Sequence, residues 1–365
     1  MFGTSILFAA MENFVLFSTI FAVAMFAIAL IVRQITIREI WQPKAASLAR
    51  YYGAAVLVPP AASLWLVAAA LLPRLWLTPE GFAAEHSTPH QFHLFGELAI
   101  AVEPALAYAM AGFLIVTAAT VVWFNVRASW RIRNVVEKLD MHAAAPPTGQ
   151  VALVNEVAAR AGLSVGLVMS NYPLSFVWGF RHSKLILSSG LLRTLTGAEL
   201  TGVLEHEAAH HERRDNLIKL MLSLCSYSSL AFPLSRLIVR WRATEVEILC
   251  DEVAAARTSE PLEIAEALVK LRRQTMAASL ISEPIPTHAI ASNFASDSAL
   301  TFQRRVTRLL TLVDAPALMP SGRQSNLARL SALLFAASIV TLSGILLFAP
   351  LSVHHAAEAL IGIAK

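Results

Sequence analysis

The chain has 365 residues, of which 56% are hydrophobic and only 15% charged, with a formal net charge of +4 and a positive mean hydropathy. That composition belongs to the membrane class and excludes a wholly soluble globular chain. The length leaves room for a few spans and one soluble domain of ordinary size.

Residues 14–32 form an uncharged apolar run long enough to cross a bilayer as a helix, closed by Arg33. The run exceeds the h-region of a signal peptide and lacks a basic n-region and a convincing cleavage site. A loop carrying Arg33, Arg38, Lys44 and Arg50 leads to a second span at 53–72, where Pro59 and Pro60 predict a kink and Arg74 and Trp76 act as interface anchors. A loop poor in basic residues follows, then a third span at 104–124 with Glu103 at its mouth. Arg127, Arg131, Arg133 and Lys138 come next, and a fourth span at 330–350 is preceded by Arg323 and Arg329. The positive-inside rule places the first loop and all of 125–329 in the cytoplasm, with both termini, including the 351–365 tail, outside. The basic flanks of the spans account for the net charge. No glycine-rich phosphate loop or nucleic-acid motif gives it another meaning, so direct nucleic-acid binding is not expected.

The cytoplasmic segment 125–329 reads as a domain of mixed structure. A turn or linker at 145–149 precedes an amphipathic helix at 151–161, and two short strands at 175–180 and 185–188 flank a polar turn. The pair is either an ordinary internal hairpin or a sheet edge on which an extended substrate aligns. Residues 217–239 are apolar but interrupted by Lys219, Pro233 and Arg236, which makes them a poor span. They read as a continuation of the preceding helix, a turn at Phe232 and Pro233, and the start of the next helix, lying against the bilayer. A helix at 262–273, a loose loop at 281–298 and a basic helix at 301–313 complete the domain.

The most informative stretch is VLEHEAAHHERRD, where His206, Glu207 and His210 stand in the spacing H-E-x-x-H. Residues four apart share one helix face, so the two imidazoles converge on one metal ion while Glu207 flanks it as a general base. Thr196 and Glu199 form a capping-box pattern that starts this helix. A catalytic zinc site takes three protein ligands, and the downstream helix RATEVEILCDEVAAAR supplies Glu245, Glu247 and Glu252 as candidates. Glu247 is preferred because Asp251, four residues on, can accept a hydrogen bond from the outer nitrogen of a ligating histidine. Cys225 and Cys250 fall on the cytoplasmic side, where no disulfide is expected, and Cys250 reads as a small buried hydrophobe. His211 reads as solvated or packed, and Asp215 with Arg213 and Arg214 as a charged helix face. Glu85, His86, His90, His93, His354 and His355 gather on the predicted outer side, as a solvated loop and tail or as an external metal or proton sensor.

The run GFRHSKLILSSGLLRTLTGAELTGVLEHEAAHHERRD, followed by an apolar stretch and EILCD, resembles the integral-membrane zinc peptidases of the BlaR/MecR type, the β-lactam sensor-transducers. A related group, the heat-shock and CAAX-prenyl membrane proteases, has E-x-x-A-D where this chain has E-x-x-C-D. The resemblance implies zinc ligands at His206, His210 and Glu247, a general base at Glu207, and as substrate a cytoplasmic protein such as a transcriptional repressor, or the peptidase itself. Those receptors continue into an extracellular penicillin-binding domain, whereas this chain ends at Lys365, so β-lactam sensing through such a domain is not expected.

The resulting expectation is a mostly α, polytopic protein of the bacterial inner membrane. Four transmembrane helices carry a cytoplasmic α+β zincin-like metallopeptidase domain between the third and fourth. Quality-control proteolysis of membrane proteins, and a non-catalytic transducer with a structural metal site, are the alternatives.

Overall fold

The computed structural model describes residues 2–38, 44–77, 102–138, 147–179, 183–279 and 299–314. Three long helices come first: α1 (Phe2–Ile37), α2 (Ala45–Leu77) and α3 (Val102–Lys138). Phe14–Ile37 of α1 and Ala45–Ala68 of α2 are long and apolar enough to cross a membrane, and α3 carries a shorter apolar stretch, Ala111–Phe124. Helix α2 continues through Pro59 and Pro60, and the Ser63 hydroxyl donates to the Pro59 carbonyl one turn back. The expected fourth span, the 281–298 loop and the outer histidines lie outside the described residues.

The peptidase-like part begins with α4 (Thr148–Ala161), two residues inside the expected linker. Gly162 ends it at φ 68°, a left-handed cap that returns its N–H to the last helical carbonyls. A three-stranded sheet follows, β1 (Ser164–Val168), β2 (Ser175–Trp178) and β3 (Lys184–Ser188), in the order β1-β3-β2, with β1 parallel and β2 antiparallel to β3. Strand β1 was not foreseen. Its Ser-Val-Gly-Leu-Val is too short and too little alternating to announce a strand, and parallel pairing with Lys184–Ser188 is what makes it one.

After the short α5 (Ser189–Thr194) come α6 (Gly197–Glu212), α7 (Asp215–Ser226), α8 (Phe232–Thr258), α9 (Pro261–Ser279) and α10 (Ala299–Asp314). Helix α6 starts on the full capping box, Thr196 with Glu199, a device contributing about 1 kcal/mol. The expected single helix through 217 is not found. The chain breaks at Arg214, whose φ of 54° ends α6 and starts α7, and the break turns the Asp215 carboxylate inward.

Two cores meet on α8. Its C-terminal half joins Leu187, Leu191, Leu200, Val203, Leu204, Ile264 and Leu309 in the core that α4, the sheet, α6, α9 and α10 enclose. Each such side chain, fully buried, contributes about 1.5–3 kcal/mol. Helices α6 and α9 approach so closely that a Cβ on Gly202 would meet Ile264 Cγ1 at 2.6 Å. The N-terminal half of α8 packs instead with α1, α2 and α7, through Ala29, Tyr52, Val56, Leu222 and Ile238.

Candidate metal centre

The last two turns of α6 and the middle of α8 bring His206, His210 and Glu247 to one point. His206 Nε2 lies 3.2 Å from His210 Nε2, and the Glu247 carboxylate oxygens stand 3.4 Å and 3.5 Å from those two nitrogens. A tetrahedral ion with ligand bonds of about 2.0–2.2 Å requires ligand atoms roughly 3.4 Å apart. The three atoms therefore fit a metal without rearrangement, and they form one of the His/Cys/acid groupings of ligating geometry among the described residues. Both imidazoles are buried, and their rings meet edge to face.

The outer nitrogens are also engaged. Asp251 Oδ1 lies 2.8 Å from His206 Nδ1, and Asp215 Oδ2 lies 3.0 Å from His210 Nδ1. Each carboxylate accepts a hydrogen bond from the ring N–H at Nδ1, the tautomer in which Nε2 faces the shared point as a ligand. Burial by itself would push both imidazoles down, but Asp251 and Glu247 around His206, and Cys250, Glu247 and Asp215 around His210, outweigh it and both sit above the usual histidine value. Burial would raise Asp215, yet its bonds to His210 and Arg213 bring it down to about 2. Glu247, also buried, is held well below the usual carboxylate range, chiefly by His210.

Glu207 is fully buried beside the imidazoles. Its Oε1 accepts a hydrogen bond of 2.9 Å from the Ser175 hydroxyl on β2, while its buried Oε2 has no hydrogen-bond partner among the described residues. Burial pushes its pKa up, against the pull of the histidines and Ser175. A carboxylate with one oxygen fixed and the other open, beside the point on which His206, His210 and Glu247 converge, is arranged to hold and pass on a water proton.

Of the three carboxylates considered on α8, only Glu247 reaches the histidines. Glu245 pairs with Arg304 at 2.8 Å and Glu252 with Arg308 at 2.7 Å, both from α10. Three residues that sequence reasoning missed belong to the site. Asp215 is buried against His210 rather than on a charged face, because the left-handed Arg214 turns it there. Its only sequence signal was the R-R-D that trails the motif. Ser175 gave none beyond its place on a strand. Arg305, fully buried, donates from Nε and a terminal nitrogen to Asp251 at 2.7 Å and 2.8 Å and lies 3.3 Å from Glu247. It read simply as part of a basic helix. Cys250 is buried with Ala49, Ala209 and Val246, its sulfur 3.5 Å from His210 Nδ1.

Residues 150–284 match the model of peptidase family M48. The chain is 29% identical over 217 residues to a protease HtpX homologue of Acaryochloris marina, an alignment covering 47% of this chain and 74% of that protein. It is 26% identical over 189 residues to a homologue of Methanopyrus kandleri, covering 44% of this chain and 55% of the relative. It is 40% identical over 74 residues to the protease HtpX of Legionella pneumophila, covering 19% and 26%. Ser175, His206, Glu207, His210 and Glu247 all fall within the matched segment, so the part of the chain that carries the site is similar to the M48 peptidases and is a metalloprotease, beside helices long and apolar enough to cross a membrane.

Proposed function

We propose that the chain is a membrane-anchored zinc endopeptidase that cleaves proteins at the cytoplasmic face of the bacterial inner membrane. The convergence of two histidine Nε2 atoms and the Glu247 carboxylate on one point carries the reading. His206, His210 and Glu247 would hold zinc, which supplies Lewis acidity for the scissile carbonyl and for the attacking water. Glu207 takes the proton of that water at Oε2 and delivers it to the leaving amine, while Ser175 keeps Oε1 oriented. Asp251 and Asp215 hold the two imidazoles in the tautomer that presents Nε2. The matches to HtpX proteases favour membrane-protein quality control as the role.

A second reading is favoured by Cys250, which completes the E-x-x-C-D pattern of the BlaR/MecR type. There the substrate would be one cytoplasmic regulator, such as a transcriptional repressor, or the peptidase itself. Peptides released in cells carrying the native chain are to be compared with those in cells carrying Glu207→Gln. Many native-only cleavages in membrane proteins support quality control, and a single one in a soluble regulator supports signalling. Identical peptide sets would refute both and leave a metal-stabilised transducer.

A further inference from the structure

Strand β2 lies at one edge of the sheet, and its pairing with β3 decides which of its backbone groups face outward. Just before β2, the Ser188 N–H donates to the Leu174 carbonyl and the Leu174 N–H donates to the Ser188 hydroxyl. Even-numbered residues of this strand therefore turn their N–H and C=O groups to β3, and odd-numbered ones, Ser175 and Val177, turn theirs to the edge. The metal centre lies beside that edge, since the Ser175 hydroxyl bonds Glu207. Helix α7 sets Asn216 against it. The Asn216 Nδ2 donates to the carbonyl of Val177 at 2.9 Å and to that of Gly179 at 3.2 Å, both odd-numbered residues.

A primary amide is the side-chain donor closest in chemistry to a peptide N–H. An extended chain that adds to a sheet edge donates its own N–H groups to the outward carbonyls of alternate residues. Val177 stands two residues, about 7 Å, beyond Ser175. The acceptor that Asn216 fills is thus the next one along the edge from the residue that holds Glu207. We infer that Asn216 is an internal stand-in for substrate main chain: it closes the β2 edge, and a protein substrate aligns beside Glu207 only by displacing its amide from Val177. The inference rests on the peptidase reading of the site. Burial agrees with a closed edge. Ser175 and Val177 are 3% and 2% exposed, and His206, Glu207 and His210 no more than 4%, so a polypeptide reaches this strand only after a side chain gives way. The exchange conserves hydrogen bonds, because the bond lost by Asn216 at Val177 is remade by the substrate N–H while the freed amide bonds water. Rotation of the Asn216 side chain suffices for it and leaves the neighbouring Asp215 on His210.

The test uses the full zinc-loaded chain in detergent micelles. The probe is a fluorescein-labelled peptide with four residues on each side of a central phosphinic group, which ligates zinc, fixes the register and is not hydrolysed. Its affinity is read by anisotropy, with each N–H methylated in turn. Displacement of Asn216 predicts two sensitive positions, two residues apart, that donate to the Ser175 and Val177 carbonyls, each losing about tenfold in affinity on methylation. It also predicts that Asn216→Ala binds the unmethylated probe roughly three- to tenfold more tightly, at unchanged zinc content. The methylation scan is made on the native chain, so it decides the matter even where Asn216→Ala fails to fold. A single sensitive position, or equal or weaker affinity in a folded Asn216→Ala, would overturn the inference and make Asn216 an anchor between α7 and the sheet. Absence of probe binding in the native chain would overturn it as well. Cleavage of β-casein is scored separately: two sensitive positions without cleavage would sink the peptidase reading and leave the closed edge standing.

Discussion

The guanidinium of Arg305 grips the carboxylate of Asp251 with two hydrogen bonds, 2.7 Å and 2.8 Å, across 54 residues of sequence. Asp251 in turn orients His206, and the remaining guanidinium nitrogen of Arg305 lies 3.3 Å from Glu247. One buried cation thus braces two of the carboxylates around the metal point. A lysine at this position keeps the charge and loses the fork. Arg305→Lys is expected to lower zinc affinity about 10–100-fold, the usual cost of disturbing partners of metal ligands. Competition against a chromophoric chelator measures it, and unchanged affinity would reduce Arg305 to a packing residue.

Asp215 does for His210 what Asp251 does for His206, and it also bonds Arg213 at 3.1 Å. Asp215→Asn keeps the volume and removes the charge, so zinc affinity should again fall by about tenfold or more. The same residue carries a pH signature in the metal-free protein. Its pKa is lowered from 3.8 to about 2, so its ionised form contributes stability that is present above the unfolded value and lost as pH falls through about 2. The shift corresponds to about 2 kcal/mol. Thermal melts between pH 4 and 2 should therefore show a steeper loss for the native chain than for Asp215→Asn.

The half of this site that was legible in the sequence is the half with helical periodicity. His206 and His210 are one turn apart, and Glu247 and Asp251 are one turn apart, so local geometry alone assigns each pair to a face. The capping box at Thr196 is equally local. Asp215, Ser175 and Arg305 are set by other means. A single left-handed residue turns Asp215, an antiparallel register of Ser175 with Leu187 aims the serine at Glu207, and the packing of α10 on α8 delivers Arg305. None of these leaves a repeat in the sequence. The break at Arg214 was hidden for the same reason, since no proline or glycine marks it and only a backbone torsion ends the helix.

Ser175 offers a direct handle on the general base. Its hydroxyl donates to the ionised Glu207 carboxylate and so favours the charged form, against a burial that favours the neutral one. Removing it raises the pKa of Glu207, and the acid limb of kcat/KM should move to higher pH in Ser175→Ala. A hydrogen bond to a charged group contributes about 1.5 kcal/mol or more, which corresponds to roughly one pH unit. Ser175→Thr, which restores the hydroxyl, should return the limb to its place. Equal pH profiles with kcat merely reduced would mean that the serine only packs.

Cys250 separates two accounts of the metal. His210, Asp215 and Cys250 also stand within ligating distance of one another, so a thiolate site is geometrically available. Its chemistry is unfavourable. Burial pushes the Cys250 thiol up, a protonated thiol is a poor ligand, and His210 Nδ1, the atom it faces, already bonds Asp215. The sulfur instead fills space between Ala49, Ala209 and Val246. Cys250→Ala should accordingly keep one zinc per chain and retain cleavage, at a stability cost on the order of 1 kcal/mol for the small cavity. It would also reproduce the E-x-x-A-D pattern of the heat-shock and CAAX-prenyl proteases. Zinc retained with cleavage unchanged makes the cysteine a packing choice that does not divide the two groups in chemistry. Loss of zinc in Cys250→Ala, with His206 and Glu247 intact, would instead move the ion to the inner side of His210 and require a different ligand set.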